Sequence, residues 1–307
     1  MLGVTVDQIN FLLLLLAALL AWLFPFELLL IAYAFLGPLH YLTEISWLHD
    51  RKYFTLRPFD PLILTGMSLI MLFFGAAVLL NSSELIWLLL LAAFCMAFIY
   101  SWSKRVILLL LGGLCLLPFV GSVSSYTMSV LIPTVLHVFL FTALFMLLGA
   151  LKNRAKLGYI NTAAFVGFSG LLLIMPSQSI VFPNFVAEYY EYFEGIAQVV
   201  SSAFAADATT TVIHLAAFLS FTYTYHYLNW FSKTSVIEWH KISGNRAAVI
   251  VLLYVLSVGI YLYDYRLGLS VLLSLSFLHV VLEFPLNFKS AQGIYREIST
   301  RPSQGVK

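Results

Sequence analysis

The chain has 307 residues, of which 62% are hydrophobic and only 10% are charged. A soluble domain carries about a quarter charged residues, so this chain has too little polar surface to coat a globule in water. Its net charge of +2 is also far from the strong basic excess with which proteins bind nucleic acids. The composition therefore excludes a soluble enzyme, a disordered regulator and a nucleic-acid-binding protein, and it predicts a protein integral to a membrane.

Apolar runs, each long enough to cross about 30 Å of hydrocarbon as a helix, follow one another along the chain. They predict an all-α fold, a polytopic bundle of about ten transmembrane helices that forms a single membrane domain over 1–289, with a polar cytoplasmic tail at 290–307. The predicted spans are 9–24, 26–48, 61–80, 85–102, 106–125, 128–150, 159–176, 208–231, 247–264 and 267–287.

The distribution of basic residues tests this topology. Every Lys and Arg except Arg266 lies after an even-numbered span or in the tail. Because cytoplasmic loops carry the excess of Lys and Arg, both termini are predicted to be cytoplasmic. The connections are short apart from an outer segment at 177–207, and this compactness favours a multi-pass protein of a cell membrane, with a bacterial inner membrane as the expected location.

Histidines and glutamates supply the candidate functional groups, since a polar side chain within the bilayer costs a few kcal/mol and usually serves a function. The pattern Leu-His-x-x-x-Glu occurs twice, with His40 and Glu44 in the second span and with His279 and Glu283 in the last. A spacing of four residues places imidazole and carboxylate on one helix face. His214 lies about three turns from the next histidine of its helix, too far for both to bind one ion.

Convergence of histidines from different helices predicts a metal site. His40, His137, His226 and His279 fall near mid-depth in four spans that run in the same direction, and they are the predicted metal ligands. Neutral imidazole is the commonest metal ligand, and a carboxylate one turn away can bind the metal or orient a ring. Glu44 and Glu283 are therefore the predicted catalytic carboxylates.

The nature of the donors favours particular metals. Nitrogen and carboxylate ligands without thiolate fit non-haem iron or zinc, and the chain has no HExxH motif of a zinc hydrolase. Fe(II) is the preferred assignment and Zn the alternative. Three further roles stay open for the same residues, namely a proton relay, structural polar packing and haem ligation by two histidines.

Four short motifs resemble those of the Brp/Blh membrane β-carotene dioxygenases. Gly37-Pro38-Leu39-His40 with Glu44 is similar to the first family motif, in which the carboxylate is Asp. The later motifs resemble the stretches Val135-Leu136-His137-Val138-Phe139, Phe221-Thr222-Tyr223-Thr224-Tyr225-His226-Tyr227 and Phe277-Leu278-His279 with Glu283. The resemblance implies an iron oxygenase that cleaves a carotenoid to a retinal-like product.

That hypothesis implies two partners, molecular oxygen and a lipophilic small molecule that enters from the bilayer. Five aromatic residues lie within a turn of the histidines and are predicted to line the substrate's path, namely Tyr41, Tyr223, Tyr225, Tyr227 and Trp230. The alternative function is a proton- or ion-coupled membrane transporter that uses the same intramembrane His and Glu residues.

Overall fold

A computed structural model describes residues 5–51, 135–175 and 208–300, together with the short pieces 62–63, 65–66 and 69. The predicted spans at 61–80, 85–102 and 106–125 lie almost wholly outside the described residues, and so does the outer segment 177–207.

Every regular element in the described residues is helical, which confirms the all-α prediction for that part of the chain. Two short π-helical segments occur at Ala32–Leu36 and Leu136–Phe141. Numbered along the described residues, the α-helices are α1 (Val6–Leu23), α2 (Pro25–Ile31), α3 (Gly37–Arg51), α4 (Thr142–Asn153), α5 (Lys156–Ile174), α6 (Ala208–Ser232), α7 (Thr234–Ile237), α8 (Gly244–Tyr263) and α9 (Tyr265–Ser299).

Six of these helical stretches are long and apolar enough to cross a membrane, which supports a multi-pass membrane protein. Two of them are longer than the rest. One is Pro25–Arg51, which consists of α2, the first π-helical segment and α3, and the other is Val271–Ser299, which is most of α9. Helix α6 is not among the six although it has 25 residues. Its second half is rich in Thr, Tyr and His, which lowers its mean hydropathy.

Local sequence explains where several helices begin and end. Thr5 accepts a hydrogen bond from the Gln8 amide, and the Gln8 side chain accepts one from the Thr5 amide, so together they form a capping box at the start of α1. Pro25 is the first residue of α2, a position where its missing N–H costs nothing. Arg154 ends α4 in the left-handed region, with φ of 50°.

Helix α9 differs from its predicted span, which ends at 287. It continues to Ser299 through Pro285, and it therefore includes the first part of the segment predicted as a polar tail. Ser290 and Ile294 are buried there. Neighbouring helices that cover the backbone allow a proline within a membrane helix, and the buried side chains hold the extension against the bundle.

Helix α6 lies at the centre of the described bundle. It packs against α1, α2 and α5, and it also contacts both π-helical segments and α3. Helix α9 packs against α3, α4 and α8. By contrast, α8 buries only Ile250 and Ser257 and exposes most of its Val and Leu side chains, as expected for a helix that faces lipid.

Candidate metal centre

The structure brings the four predicted histidines together. His40 comes from α3, His137 from the second π-helical segment, His226 from α6 and His279 from α9. All four are buried. One ring nitrogen from each histidine can be chosen so that the four nitrogens lie within 4.8 Å of one another. Residues from four separate parts of the chain therefore form one cluster that could hold a metal ion.

The closest contact within the cluster joins two imidazole nitrogens. His40 Nε2 and His226 Nε2 are 2.9 Å apart. Two ligands at right angles on one metal, each bound at about 2.1 Å, would have nitrogens about 3 Å apart. The spacing is also that of a hydrogen bond between a protonated and an unprotonated ring nitrogen, so it fits both a metal centre and a proton relay.

Protein groups lie against the Nδ1 atoms of three of the four histidines. With the proton on Nδ1, His226 donates to Thr142 Oγ1 over 2.7 Å, and His279 donates to the Ser276 carbonyl over 3.2 Å. His137 Nδ1 lies 3.0 Å from Glu283 Oε2. A metal-binding histidine usually donates its other N–H to such a partner, which fixes its tautomer and ring orientation. The arrangement leaves Nε2 of these three rings for a metal.

Glu44 lies between two of the histidines. Its Oε2 atom is 3.0 Å from His40 Nε2 and 3.3 Å from His279 Nε2, and the residue is only 2% exposed. Glu44, His279 and Glu283 form a second group whose ligand atoms lie within 4.8 Å of one another. His279 belongs to both groups, so the four histidines and two glutamates make one continuous site.

Several buried atoms of this site have no hydrogen-bond partner among the described residues. They are His40 Nδ1, Glu44 Oε2, both ring nitrogens of His137, His279 Nε2 and Glu283 Oε2. Glu283 Oε2 and His137 Nδ1 lie 3.0 Å apart, and Glu44 Oε2 and His279 Nε2 lie 3.3 Å apart, but neither contact has the geometry of a hydrogen bond. A buried polar atom without a partner costs about 1–3 kcal/mol, and an unpaired buried carboxylate costs more. A divalent cation would serve as the missing partner and would balance the charges of the two carboxylates, so the donor set fits a metal ion.

Both π-helical segments lie next to histidines of the cluster. The first ends just before α3, four residues ahead of His40 with Pro38 between them, and the second contains His137. π-Helical turns occur frequently at functional sites, because the wider turn redirects the side chains that follow. Here the two turns aim histidines of two different helices at the same point.

Aromatic side chains surround the histidines. The Tyr41 ring stacks on His279 with centroids 4.6 Å apart, and its hydroxyl lies 2.6 Å from that of Tyr227. The Trp230 ring is 5.5 Å from His40, edge to face. Tyr223 lies one layer farther out, with its ring 5.8 Å from Tyr227. Four of the five predicted lining residues thus lie at or near the cluster.

Tyr225 lies elsewhere. It is fully buried against Phe165 and Phe221, on the side of α6 that faces α1 and α5. Successive residues of an α-helix point about 100° apart, so Tyr225 faces away from the direction of His226. The closeness of these two residues in sequence does not bring them to the same site.

Sequence patterns did not reveal the supporting residues Thr142 and Ser276, and they indicated Tyr227 only as an aromatic residue that lines the substrate's path. Thr142 and Tyr227 make their contacts across helix boundaries, so no local spacing points to them. Ser276 lies three residues before His279 and accepts through its backbone carbonyl, a role that any residue type can play. Only the Tyr-rich stretch that includes Tyr227 carried a signal.

Comparison with known proteins finds no matching family model, no matching curated protein and no matching solved structure. The function must therefore be inferred from the geometry of this site. Four imidazoles and two carboxylates, buried in an apolar bundle, can hold a metal ion or pass protons between neighbouring groups.

Proposed function

We propose that this protein is a membrane-embedded, iron-dependent oxygenase that acts on a hydrophobic polyene such as a carotenoid. The observation that carries the proposal is the set of three histidines whose Nδ1 atoms face protein partners while Nε2 is left for the cluster. Structural packing does not require that arrangement, whereas metal-binding histidines usually have it.

The order of the histidine motifs supports the choice of reaction. His40, His137, His226 and His279 occur in the sequence contexts in which the Brp/Blh dioxygenases carry their histidines, and these same four side chains converge here. The two carboxylates are Glu in place of the family's Asp, and Thr222 stands where the family has another histidine. His279 supplies the fourth imidazole of the cluster.

The chain's own residues have distinct tasks in this proposal. The four histidines of the cluster would hold the ion, and Glu44 would complete the ligand set. Glu283 would orient the His137 ring through the Nδ1 atom of that ring. Iron, when bound, would supply the activation of molecular oxygen for cleavage of a carbon–carbon double bond.

The surroundings suit a lipophilic substrate. Tyr41 and Trp230 flank the imidazoles, and both are buried. An aromatic wall of this kind would exclude water from the cluster and would pack against a polyene that enters from the lipid. Tyr223 extends the same wall outward.

Elemental analysis tests the proposal directly. Protein purified in detergent, without a chelator and with a tag free of histidine, should contain about one iron per chain and should convert β-carotene to an aldehyde product in the presence of oxygen. Zinc at the same stoichiometry would redirect the function to hydrolysis by an activated water. Folded, monodisperse protein without metal would contradict the oxygenase.

A proton- or ion-coupled transporter is the second candidate, and one observation favours it. The contacts from His226 through His40 to Glu44 and on to His279 form an unbroken chain of titratable groups. Such chains carry protons in membrane pumps and carriers. Metal-free protein that moves a solute in proteoliposomes in response to a pH gradient would support this function instead.

The ten-span topology with both termini in the cytoplasm is part of the proposal, as is a bacterial inner membrane. Polar contacts that join the predicted cytoplasmic ends of helices support it. Arg246 donates to Asp50 over 2.6 Å, which joins the start of α8 to the end of α3, and Trp47 donates to the Ile237 carbonyl over 2.9 Å. Reporter fusions at both termini should give cytoplasmic signals, and a periplasmic signal at either one would contradict the topology.

A further inference from the structure

A cavity lined by polar and apolar side chains lies apart from the candidate metal centre. It has a volume of about 270 Å³ and is bounded by α1, α4, α5, α6 and α7. The residues that line it come from the beginnings of α1 and α5 and from the ends of α4 and α6. In the proposed topology these ends all lie at the cytoplasmic side of the membrane, at the depth of lipid headgroups.

Charges of both signs line this cavity without pairing directly. Asp7 stands in the first turn of α1, and Lys233 follows the last residue of α6. No ion pair joins the two within the described residues. Burial lowers the pKa of Lys233 to about 8, while the Asp7 carboxylate acts in the opposite direction. The ammonium and the carboxylate therefore share one cavity and interact across it without direct contact.

Two fully buried polar atoms at the cavity wall have no partner among the described residues. One is the Tyr225 hydroxyl and the other is Asn161 Oδ1, on residues that are 0% and 2% exposed. The Asn161 amide is held in place because its Nδ2 donates to the Asp7 carbonyl over 2.9 Å. A phenol that can donate and an amide oxygen that can only accept are thus left for a molecule in the cavity.

Asn10 lines the same cavity and differs from Asn161 in this respect. Asn10 Nδ2 donates to the Val6 carbonyl and its Oδ1 accepts from Ser232 Oγ, over 2.9 and 2.8 Å. Both the nitrogen and the oxygen of the Asn10 amide therefore make hydrogen bonds within the fold, whereas the oxygen of Asn161 has no partner among the described residues.

The cavity residues of α6 lie on one face of that helix. Tyr225, Asn229 and Lys233 follow one another at four-residue spacing along α6 and its end, which places them on one face.

We propose that this cavity binds a zwitterionic group, an anionic phosphate or carboxylate next to a primary ammonium. Lys233 and the Tyr225 hydroxyl would donate to the anion, and Asp7 and Asn161 Oδ1 would accept from the ammonium. A phosphoethanolamine lipid headgroup and a free zwitterionic solute share this chemistry. Phe145 and Met146 add an apolar wall that the first part of an acyl chain could contact.

Calorimetric titration of the full-length, delipidated protein in a maltoside detergent tests the site. The probes are dihexanoyl phosphatidylethanolamine below its micellar concentration, O-phosphoethanolamine, and dihexanoyl phosphatidylglycerol as an anion without an ammonium. Saturable binding of the phosphatidylethanolamine alone identifies a lipid site, and saturable binding of both ethanolamine compounds identifies a site for a free solute. Both results support the proposal.

Variants assign the binding to this cavity. Lys233→Met should weaken binding of the ethanolamine probes at least about tenfold, since a charge-assisted hydrogen bond is lost, and Tyr225→Phe should weaken it by a smaller factor of about three. Asp7→Asn should remove the preference for ethanolamine over glycerol. Lys241→Met is the matched control, because Lys241 is exposed and pairs with Glu238 outside the cavity.

Three results would overturn the proposal. The first is no saturable binding to folded, monodisperse wild-type protein, which would leave the cavity to water. The second is binding that Lys233→Met and Tyr225→Phe both leave unchanged, and the third is equal affinity for the glycerol and ethanolamine lipids. Metal content, measured in parallel, should stay at the wild-type level in every variant, so this test is independent of the oxygenase proposal.

Discussion

The two Leu-His-x-x-x-Glu motifs have the same residue pattern, yet they use their carboxylates differently. In α3, Glu44 contacts the histidine of its own motif, His40, over 3.0 Å. In α9, Glu283 contacts His137 of another helix over 3.0 Å, while His279 contacts Glu44 across the bundle over 3.3 Å. Both glutamates thus contact imidazoles, but only in α3 does the glutamate contact the histidine of its own motif.

The difference shows what a four-residue spacing can and cannot determine. The spacing puts imidazole and carboxylate on one helix face, and this is true of both motifs. The choice of partner depends on which side chains the neighbouring helices present. Glu44 meets two histidines and lies at the centre of the site, whereas Glu283 reaches the outer nitrogen of His137, which leaves the inner one for a metal.

The largest expected effect is the loss of either motif's histidine. His40→Ala and His279→Ala should each abolish stoichiometric metal, because each removes a nitrogen from the centre of the cluster and leaves Glu44 without one of its two contacts. Metal content after purification, measured by elemental analysis, checks the prediction. A variant that keeps full occupancy would remove that histidine from the ligand set.

His214→Ala is the control for these variants. His214 belongs to α6 but lies about three turns before His226 and is half-buried. Its replacement should leave the metal content unchanged, so a loss of metal in this variant would indicate general destabilisation of α6.

The second prediction separates the two glutamates. Glu44→Gln should reduce metal affinity by more than about 100-fold, since it removes a charge placed between two ligands. Glu283→Gln should reduce it by about 10- to 100-fold, the usual effect of a residue that orients a ligand. Competition with a metal chelator measures both affinities. The reverse order of effects would exchange the two roles.

A third prediction concerns a positioning residue outside both motifs. Thr142→Val removes the hydroxyl that faces His226 Nδ1 at 2.7 Å and keeps the side-chain shape. We expect metal affinity to fall about tenfold, the lower end of the effects of such supporting residues. Thr142→Ser should restore it, because the hydroxyl returns. Equal losses in both variants would show that packing, and not the hydrogen bond, holds the ring.

The smallest effects should come from the residues that flank the motifs. A Cβ at Gly37 would lie 3.1 Å from the Tyr41 hydroxyl and 3.3 Å from that of Tyr227, so Gly37→Ala should destabilise the fold by about 1–3 kcal/mol. Pro285→Ala gives back a backbone N–H in α9, and its effect should lie within about 1 kcal/mol. Thermal unfolding in detergent compares the two variants. A neutral Gly37→Ala would show that the tyrosine pair can shift.

The sequence predicts those parts of the fold and the site that depend on local patterns. Apolar runs locate the described membrane helices within a few residues, and the intramembrane position of the histidines indicates that they share a site. Helix α6 coincides with the predicted span 208–231, although its polar second half, which meets other elements of the cluster, keeps it out of the six helices that are apolar enough to cross a membrane. The extension of α9 to Ser299 was missed because Pro285 and the polar residues after it resemble a helix end.

Long-range contacts account for the rest of what the sequence could not predict. The pairing of Glu283 with His137 joins residues on different helices, and the Tyr41–Tyr227 contact spans 186 positions. Tyr225 shows the converse error, since it is next to His226 in sequence but faces a different side of α6 and lines the cavity near the helix ends.

The π-helical segment at Ala32–Leu36 makes this span sensitive to a change that hydropathy would not detect. A π-helical turn contains one residue more than an α-helical turn, so deletion of one alanine from it would convert the turn to α geometry and leave His40 and Glu44 facing nearly as before. Insertion of one residue would instead rotate all later residues by about 100° relative to α2. The span would remain apolar and long enough to insert, but His40 and Glu44 would leave the cluster together. Homologues that keep the site should therefore tolerate the loss of one residue here and not the gain of one.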